Sequence, residues 1–438
     1  MASNSFTAGK GLKSTFRALN NRNYRLFFGG QSISLIGTWM QQLAVSWLVY
    51  RLTHSTFLLG IVGFASFIPA FILTPFVGVL VDRWNRHRIL VITQILSLIQ
   101  ATILAILVLT NMIVIWQLIV LSATLGFINA IDSPTRQAFI NDLVDKKDDL
   151  SNAVALSASM YNAAVLVGPS IAGILIALFG EGVCFLLNAL SFIPVIIALL
   201  AIRITPKERK TQRTPLWQGM KEGFTYAFRF QPIRYILLLL AWGNLIGVFY
   251  TVLLPVVARD ILSSGAHTFG FLTAASACGA LAGTVYLAAR KSILGLEKVL
   301  VKMALLFAAG LILFSISQVF WISMVILLLT GFGNTSQFAV SSTFLQTIVE
   351  EDKRGRIMSL FVMAGAGMRP FGHLLAGALA RIIGTPNTIM LSGGLCLLSA
   401  IMFAIKLPSL MTMINPIYVK KGIIEEEETE GTENVYER

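Results

Sequence analysis

The sequence predicts an all-helical membrane protein in which about twelve spanning helices form two related six-helix halves. Composition is the first observation behind this fold class. Of the 438 residues, 56% are hydrophobic and only 13% are charged, whereas a soluble domain carries about a quarter charged residues. The second is that the apolar residues fall in runs of about 20 or more, the length that a helix needs to cross a bilayer core.

These runs predict both the spans and the segments between them. The expected spans are residues 24–50, 56–81, 88–110, 113–140, 151–179, 182–202, 233–259, 267–289, 297–318, 320–348, 357–383 and 387–407. The expected divisions are a cytoplasmic amino-terminal segment (1–23), a first bundle (24–202), a basic linker with an interfacial helix (203–232), a second bundle (233–407) and an acidic cytoplasmic tail (408–438). Residues 1–23 lack the apolar core of a signal peptide, so we expect them to be retained.

The basic residues predict the orientation of the spans. A net charge of +13 would also suit nucleic-acid binding, but the positions of the charges favour a membrane topology signal. If the amino terminus is cytoplasmic, Arg51, Arg259 and Arg381 lie outside, Arg369 lies within the membrane, and the other basic residues are cytoplasmic. We therefore expect both termini in the cytoplasm, contact with anionic membrane lipids and no nucleic-acid partner.

An internal repeat relates the two halves. Leu35, Ile36 and Gly37 recur as Leu245, Ile246 and Gly247, and Gly78 recurs as Gly283. Further along, the glycines and alanine at Gly168, Ala172, Gly173 and Gly180 recur as Gly372, Ala376, Gly377 and Gly384. The order is the same in both halves, which predicts a parallel repeat about an axis along the membrane normal, as is typical of transporters.

A charged loop follows the second span, with Gly78, Asp82, Arg83 and Arg86 in its pattern. This pattern resembles the signature loop of the major facilitator superfamily, and the twelve spans and the six-plus-six repeat extend the resemblance over most of the chain. The resemblance implies the major facilitator fold and gating roles for these residues, which would not touch substrate. The alternative is that the charges only set topology.

The second half has kept Gly283 but carries Leu287 and Ala288 where the acid and the arginine would fall. The gating charge is therefore expected to be asymmetric between the halves.

The fifth span contains Gly168, Pro169 and Gly173, which is similar to the glycine-proline motif of exporters in this superfamily. Glycine and proline loosen the helical hydrogen-bond ladder and permit close crossing. We expect a gating role where the halves meet and, from the resemblance, export rather than import. Ordinary packing glycines are the alternative.

Three further segments resemble one exporter subgroup, which contains the enterobactin exporters and macrolide efflux proteins. They are the stretch from Pro134 to Ala138, the segment Lys221 to Gly223 and the segment Arg354 to Ser359. The subgroup implies a small-molecule substrate.

Charged residues inside spans cost free energy because they are removed from water, so they are candidates for function. Asp132 and Arg136 lie one turn apart in the fourth span, so their separation could drive proton uptake and release, or they form a permanent structural pair. Arg369 lies in the middle of the eleventh span and could hold an anionic substrate. His373 follows one turn later and could relay protons. Structural roles are the alternative for both.

Polar side chains at helical spacing predict faces turned toward water. They occur in the first, fourth, seventh and tenth spans, the helices that line the central cavity in this superfamily. The predicted cavity residues, apart from Arg369, are Gln31, Ser34, Thr38, Gln41, Asn129, Asn244, Thr251, Asn334 and Gln337.

We expect a secondary transporter of a bacterial inner membrane, which exports an amphipathic small molecule, a siderophore or a macrolide-like drug, by alternating access. No nucleotide-binding motif occurs, so we expect an ion gradient to supply the energy, and the resemblance implies proton antiport. No enzyme activity, cofactor or metal is expected, and the protein is expected to be a monomer. The rival functions are a lipid or lysolipid flippase on the same scaffold and a non-transporting sensor.

Overall fold

The computed structural model describes residues 16–144, 147–203, 216–290, 292 and 294–424. Within α-helices, the side chains of 74–75, 78–83, 147–148 and 216–221 lie outside the described part. The helices of the first half are α1 (Arg22–Thr53), α2 (Thr56–Arg83), α3 (Arg86–Leu109), α4 (Ile115–Leu143), α5 (Lys147–Phe179) and α6 (Glu181–Ala201). The linker helix is α7 (Leu216–Arg229), and the second half comprises α8 (Gln231–Ile246), α9 (Phe249–Val256), α10 (Ala266–Ala289), α11 (Leu296–Ile316), α12 (Phe320–Ile348), α13 (Arg354–Gly365), α14 (Arg369–Ile383) and α15 (Thr385–Lys420).

The all-helical, multi-span fold class is confirmed. Within the described ranges, ten helices are long and apolar enough to cross a membrane, and one of them combines α8, α9 and a π-turn over Gln231–Ile261. Two expected spans are not among the ten. The first is α1, which has 32 residues and carries many polar side chains, and the second is the eleventh span, which is divided into α13 and α14.

Local sequence explains several helix boundaries. The Asn85 side chain accepts hydrogen bonds from the backbone N–H groups of His87 and Arg88, at 3.0 and 3.3 Å, and so caps α3. Gly180 separates α5 from α6, and Gly384 separates α14 from α15. Their φ angles are +82° and +80°, a region that glycine enters without strain. These glycines are partners in the sequence repeat, and they perform the same turn in each half.

Contacts group the chain into two units. One comprises Met1–Leu48 and Ile72–Gln212, and the other comprises Val49–Phe71 and Arg213–Arg438. The expected first bundle covers residues 24–202. In the structure, residues 49–71, around the α1–α2 turn, are grouped with the second unit instead. There the Tyr50 hydroxyl donates a hydrogen bond to the Asp260 carboxylate.

The second unit contains a close helix crossing between α10 and α12. A Cβ atom added to Gly279 would lie 1.8 Å from the carbonyl oxygen of Leu328, and one added to Gly331 would lie 2.0 Å from that of Ser276. Small residues let helix backbones meet, which is the main packing device available inside a membrane.

This crossing makes a stability prediction. We expect Gly331→Ala to lower the apparent Tm of the detergent-purified protein, with a destabilisation of about 1–3 kcal/mol, because backbone atoms must shift. Gly394→Ala is the matched control, since nothing lies within 4 Å of its added Cβ atom. Equal melting of the two variants would contradict the packing argument.

Candidate functional site

The first unit buries one carboxylate within a span. Asp132 on α4 is 4% exposed. The Thr93 hydroxyl and the Gln94 side-chain amide each donate a hydrogen bond of 2.8 Å to its Oδ1 atom. The Arg136 guanidinium lies 3.7 Å from Oδ2, one helical turn along α4. Two neutral donors and one cation therefore compensate this charge within the first unit.

Sequence reasoning predicted Arg136 as a partner of Asp132 but missed Thr93 and Gln94. Both lie on α3, a different helix, so the spacing on α4 carries no information about them. The available signal was the set of polar residues in the third span, of which Thr93 and Gln94 are adjacent.

A second polar cluster lies inside the same unit. The Gln41 side-chain amide donates to Gln100 at 3.0 Å and accepts from Asn188 at 2.7 Å. Gln100 donates in turn to the carbonyl oxygen of Leu121 at 3.1 Å. All three amide side chains are buried, and their mutual hydrogen bonds offset the cost of removing them from water.

The polar face of α1 therefore differs from the expectation that it faces a hydrated cavity. Gln31, Ser34 and Gln41 are buried; the Ser34 hydroxyl is 3.5 Å from Gln94, and the Thr38 hydroxyl donates to the carbonyl oxygen of Ser34 at 2.9 Å. Helical spacing placed these residues on one face, but that face packs on α3 and α6 rather than on water.

The other predicted cavity residues vary in exposure. Asn129 and Thr251 are exposed, Asn244 and Asn334 are half-buried, and Gln337 is buried. Asn244 and Thr251 donate hydrogen bonds within their own helices, to the carbonyl oxygens of Leu240 at 3.0 Å and Val248 at 2.7 Å.

The eleventh span is interrupted at its middle. Helix α13 ends at Gly365, a 3₁₀ turn covers Ala366–Met368, and α14 starts at Arg369 with Pro370 next. Arg369 is exposed, and Tyr250 and His373 lie within electrostatic range of its guanidinium. Because the first N–H groups of a helix have no intrahelical partner, the start of α14 adds positive potential to that of the arginine.

His373 lies in a close contact between α2 and α14, which we call the glycine seam (Thr56, Gly60, Gly63, His373 and Gly377). A Cβ atom on Gly63 would lie 2.3 Å from His373 Nδ1, and one on Gly60 would lie 2.7 Å from the carbonyl oxygen of His373. The Thr56 hydroxyl donates to the carbonyl oxygen of Gly377 at 3.1 Å. The histidine thus takes part in helix packing, and a proton-relay role stays a prediction.

The signature loop is described in part. Gly78, Asp82 and Arg83 belong to the segment whose side chains lie outside the described part. Arg86 Nη1 donates to the carbonyl oxygen of Ala138 at 3.1 Å and lies 3.4 Å from the Asp142 carboxylate. Both side chains are largely buried, with 13% and 14% exposure. The arginine therefore ties the start of α3 to the end of α4.

The glycine-proline motif lies inside the first unit. A Cβ atom on Gly168 would lie 2.7 Å from Trp39 Cβ and 3.0 Å from the carbonyl oxygen of Ile36 on α1. Pro169 is inside α5, and Gly173 is buried. The motif permits close packing of α5 on α1 within this unit, and a gating role where the halves meet stays a prediction.

Known proteins resemble the chain over most of its length. The staphyloferrin A transporter of Staphylococcus aureus is 28% identical over 375 residues, which cover 84% of this chain and 92% of that protein. Macrolide efflux protein A of Streptococcus pyogenes is 22% identical over 86% of this chain and 95% of its own length. Among solved structures, the nucleoside transporter NupG matches with a TM-score of 0.65 and 15% identity, covering 87% of this chain and 97% of that one; this likeness concerns the fold alone.

The family match is broader still. Residues 13–420 match the family described as transmembrane secretion effector. With the multi-span helical fold, this confirms the resemblance on which the sequence interpretation rested. The chain belongs to the transmembrane secretion effector family of the major facilitator superfamily, and it is a multi-pass membrane transporter rather than an enzyme.

Proposed function

We propose that this transporter exports an amphipathic small molecule with an anionic group, driven by proton entry. The observation that carries the proposal is the interrupted eleventh span, in which Arg369 is exposed at the start of α14. An arginine in the middle of a span is costly unless it faces water or a counter-charge. Broken helices whose amino-terminal ends point at anionic groups are a recurrent way of building substrate sites in transporters.

Export is supported by the family and by its relatives, whose names describe a siderophore transporter and a macrolide efflux protein. The orientation proposed is the one that the basic residues predict, with both termini in the cytoplasm of a bacterium. The substrate then enters from the cytoplasm or the inner leaflet.

Proton coupling is proposed at Asp132. In the described conformation Arg136, Thr93 and Gln94 surround its carboxylate. A movement of α3 relative to α4 would remove two donors and leave a desolvated carboxylate, which favours proton uptake. The return of α3 to its described position would favour release of the proton. Asp132 is therefore the residue that we propose to couple proton movement to the conformational change.

The function is tested with the purified protein in proteoliposomes under an imposed pH gradient. The probes are iron-free staphyloferrin A, erythromycin and a fluorescent lysolipid. Gradient-dependent uptake of staphyloferrin A into inside-out vesicles supports the proposal, whereas uptake of erythromycin alone supports proton-driven export but overturns the assignment of an anionic substrate. Movement of the lysolipid alone would overturn it in favour of the flippase alternative.

The Asp132 role makes a prediction in this assay. We expect Asp132→Asn to abolish gradient-driven transport and to spare counterflow exchange, since exchange requires the conformational change but no net proton movement. Asp149→Asn is the control, because Asp149 pairs with Arg17 near the start of α5. Undiminished gradient-driven transport by Asp132→Asn would remove this residue from the coupling mechanism.

Arg369 makes a prediction about selectivity. Loss of a charge-assisted hydrogen bond of about 1.5–3 kcal/mol should raise the KM for an anionic substrate by roughly 10- to 150-fold in Arg369→Ala. Erythromycin, which carries no anionic group, should be affected much less. Arg381→Ala on the same helix is the control. Equal loss for both probes would indicate a structural role for Arg369.

A further inference from the structure

The close contact between α2 and α14 has a purely aromatic side. There Phe371 of α14 meets Phe64 and Phe71 of α2, with ring centroids 6.1 and 5.3 Å apart and interplanar angles of 67° and 89°. The ring of Phe71 also packs on the 3₁₀ turn, since a Cβ atom added to Gly367 would lie 3.0 Å from its Cδ2 atom. Edge-to-face contacts of this kind stabilise helix packing, so we call these three rings the phenyl cluster (Phe64, Phe71 and Phe371).

The other side of the same contact carries different chemistry. Arg369 and His373 are one turn apart and therefore share a face of α14, whereas Phe371 points about 160° away around the helix axis. The imidazole of His373 meets the ring of Phe67 on α2, with centroids 5.1 Å apart at 75°. We call this group the arginine face (Phe67, Arg369 and His373).

The polar groups of the arginine face have donors to spare. Among the residues that the structure describes, neither the Arg369 guanidinium nor the His373 imidazole takes part in a hydrogen bond or an ion pair. A Cβ atom added to Gly63 would lie 2.3 Å from His373 Nδ1, so this nitrogen faces the backbone of α2 and Nε2 is the nitrogen left for another partner. Both side chains therefore have N–H capacity that the described fold does not use.

The arginine face is expected to meet water rather than lipid. Arg369 is exposed, and Phe67 and His373 are half-buried. An arginine in the middle of a span is costly unless it meets water or a counter-charge, and the described residues supply no carboxylate to it. Part of the Phe67 ring is then apolar surface beside water, which a ligand would cover with a gain in free energy.

The three side chains share a property that indicates the shape of this ligand. Guanidinium, imidazole and phenyl groups are all flat π systems. An aromatic ring packs edge-to-face on phenyl and imidazole rings and stacks on a guanidinium, and an anionic group attached to that ring accepts charge-assisted hydrogen bonds from arginine. An aromatic anion therefore satisfies the donors and covers the apolar surface together.

We propose that the arginine face is a substrate subsite for an anionic group attached to an aromatic ring. Arg369 binds the anionic group, His373 Nε2 donates a hydrogen bond to one of its oxygen atoms, and Phe67 contacts the aromatic ring. Phe67 thereby determines specificity. The proposal rests on the proposed transport function and adds to it a preference for aromatic anions.

The test measures binding to the full-length protein in lipid nanodiscs, with empty nanodiscs as the blank. The probe is radiolabelled 2-naphthoate, and the competitor is decahydro-2-naphthoate, which has the same charge and carbon skeleton but no aromatic ring. We expect the wild type to bind 2-naphthoate about two- to tenfold more tightly than the saturated analogue, the size of an aromatic contact. Arg369→Ala should weaken the binding of both compounds by at least about tenfold.

Phe67 variants assign the preference to this ring. We expect Phe67→Leu to bind the two compounds equally, because leucine keeps the apolar character without the π system, and Phe67→Tyr to keep the preference. Phe64→Leu is the matched control, since Phe64 lies on the same helix but belongs to the phenyl cluster. The apparent Tm of each variant confirms that it is folded.

Two results overturn the subsite. One is equal affinity of the wild type for the two naphthoates, and the other is a preference that Phe64→Leu loses as completely as Phe67→Leu. Binding is measured without a pH gradient, so its outcome is independent of the transport assay. Gradient-driven export of an anion without naphthoate binding overturns the subsite alone, whereas the expected binding without any export overturns the proposed function and supports the subsite.

Discussion

The polar groups inside the spans are constrained by the absence of water, and this constraint explains how they are arranged. In hydrocarbon, an amide or a carboxylate needs a partner or a wet surface. Gln41, Gln100 and Asn188 satisfy one another in a closed cluster. Asp132 has three partners. Arg369 remains exposed where its helix is interrupted, and this difference separates a structural cluster from a candidate site.

The interruption also has a local cause in the sequence. Gly365 precedes the 3₁₀ turn, Gly367 lies within it, and Pro370 cannot donate a hydrogen bond to the preceding turn. The freed backbone groups lie beside the arginine, so the charge and the helix end act on the same region. On the α14 side of the break, the glycine seam holds α14 closely against α2. A substrate bound at Arg369 would therefore interact with a half-helix whose packing on α2 depends on very small residues.

The fold was predictable because it follows from length, composition and repetition. Runs of about 20 apolar residues can only be spanning helices, and Gly180 and Gly384, which the repeat pairs, make equivalent turns in the two halves. Which helix faces contact one another within each bundle was harder to predict from the sequence. Spacing placed Gln31, Ser34 and Gln41 on one face of α1, but it could not say whether that face meets water or α3. For the same reason Thr93 and Gln94 were missed.

The carboxy-terminal extension, the part of α15 that covers residues 408–420, shows another limit of pattern reasoning. Its buried residues, Leu410, Ile414 and Tyr418, recur at helical spacing, yet they follow a complete span and precede an acidic segment, so hydropathy alone assigned them to a tail. Their burial depends on a surface formed by α7, α11, α12 and α13, which are distant in sequence.

The two halves of the repeat have kept their architecture while changing the chemistry at equivalent helix ends. The first half uses a loop arginine that is largely buried with its carboxylate, at 13% and 14% exposure. The second half carries Leu287 and Ala288 where the loop acid and the first loop arginine would fall, and its Lys421, next to the end of α15, donates to the carbonyl oxygen of Thr347 on α12. Because buried, paired charges hold more strongly than an exposed ammonium on backbone oxygens, the second unit has the more easily broken contact.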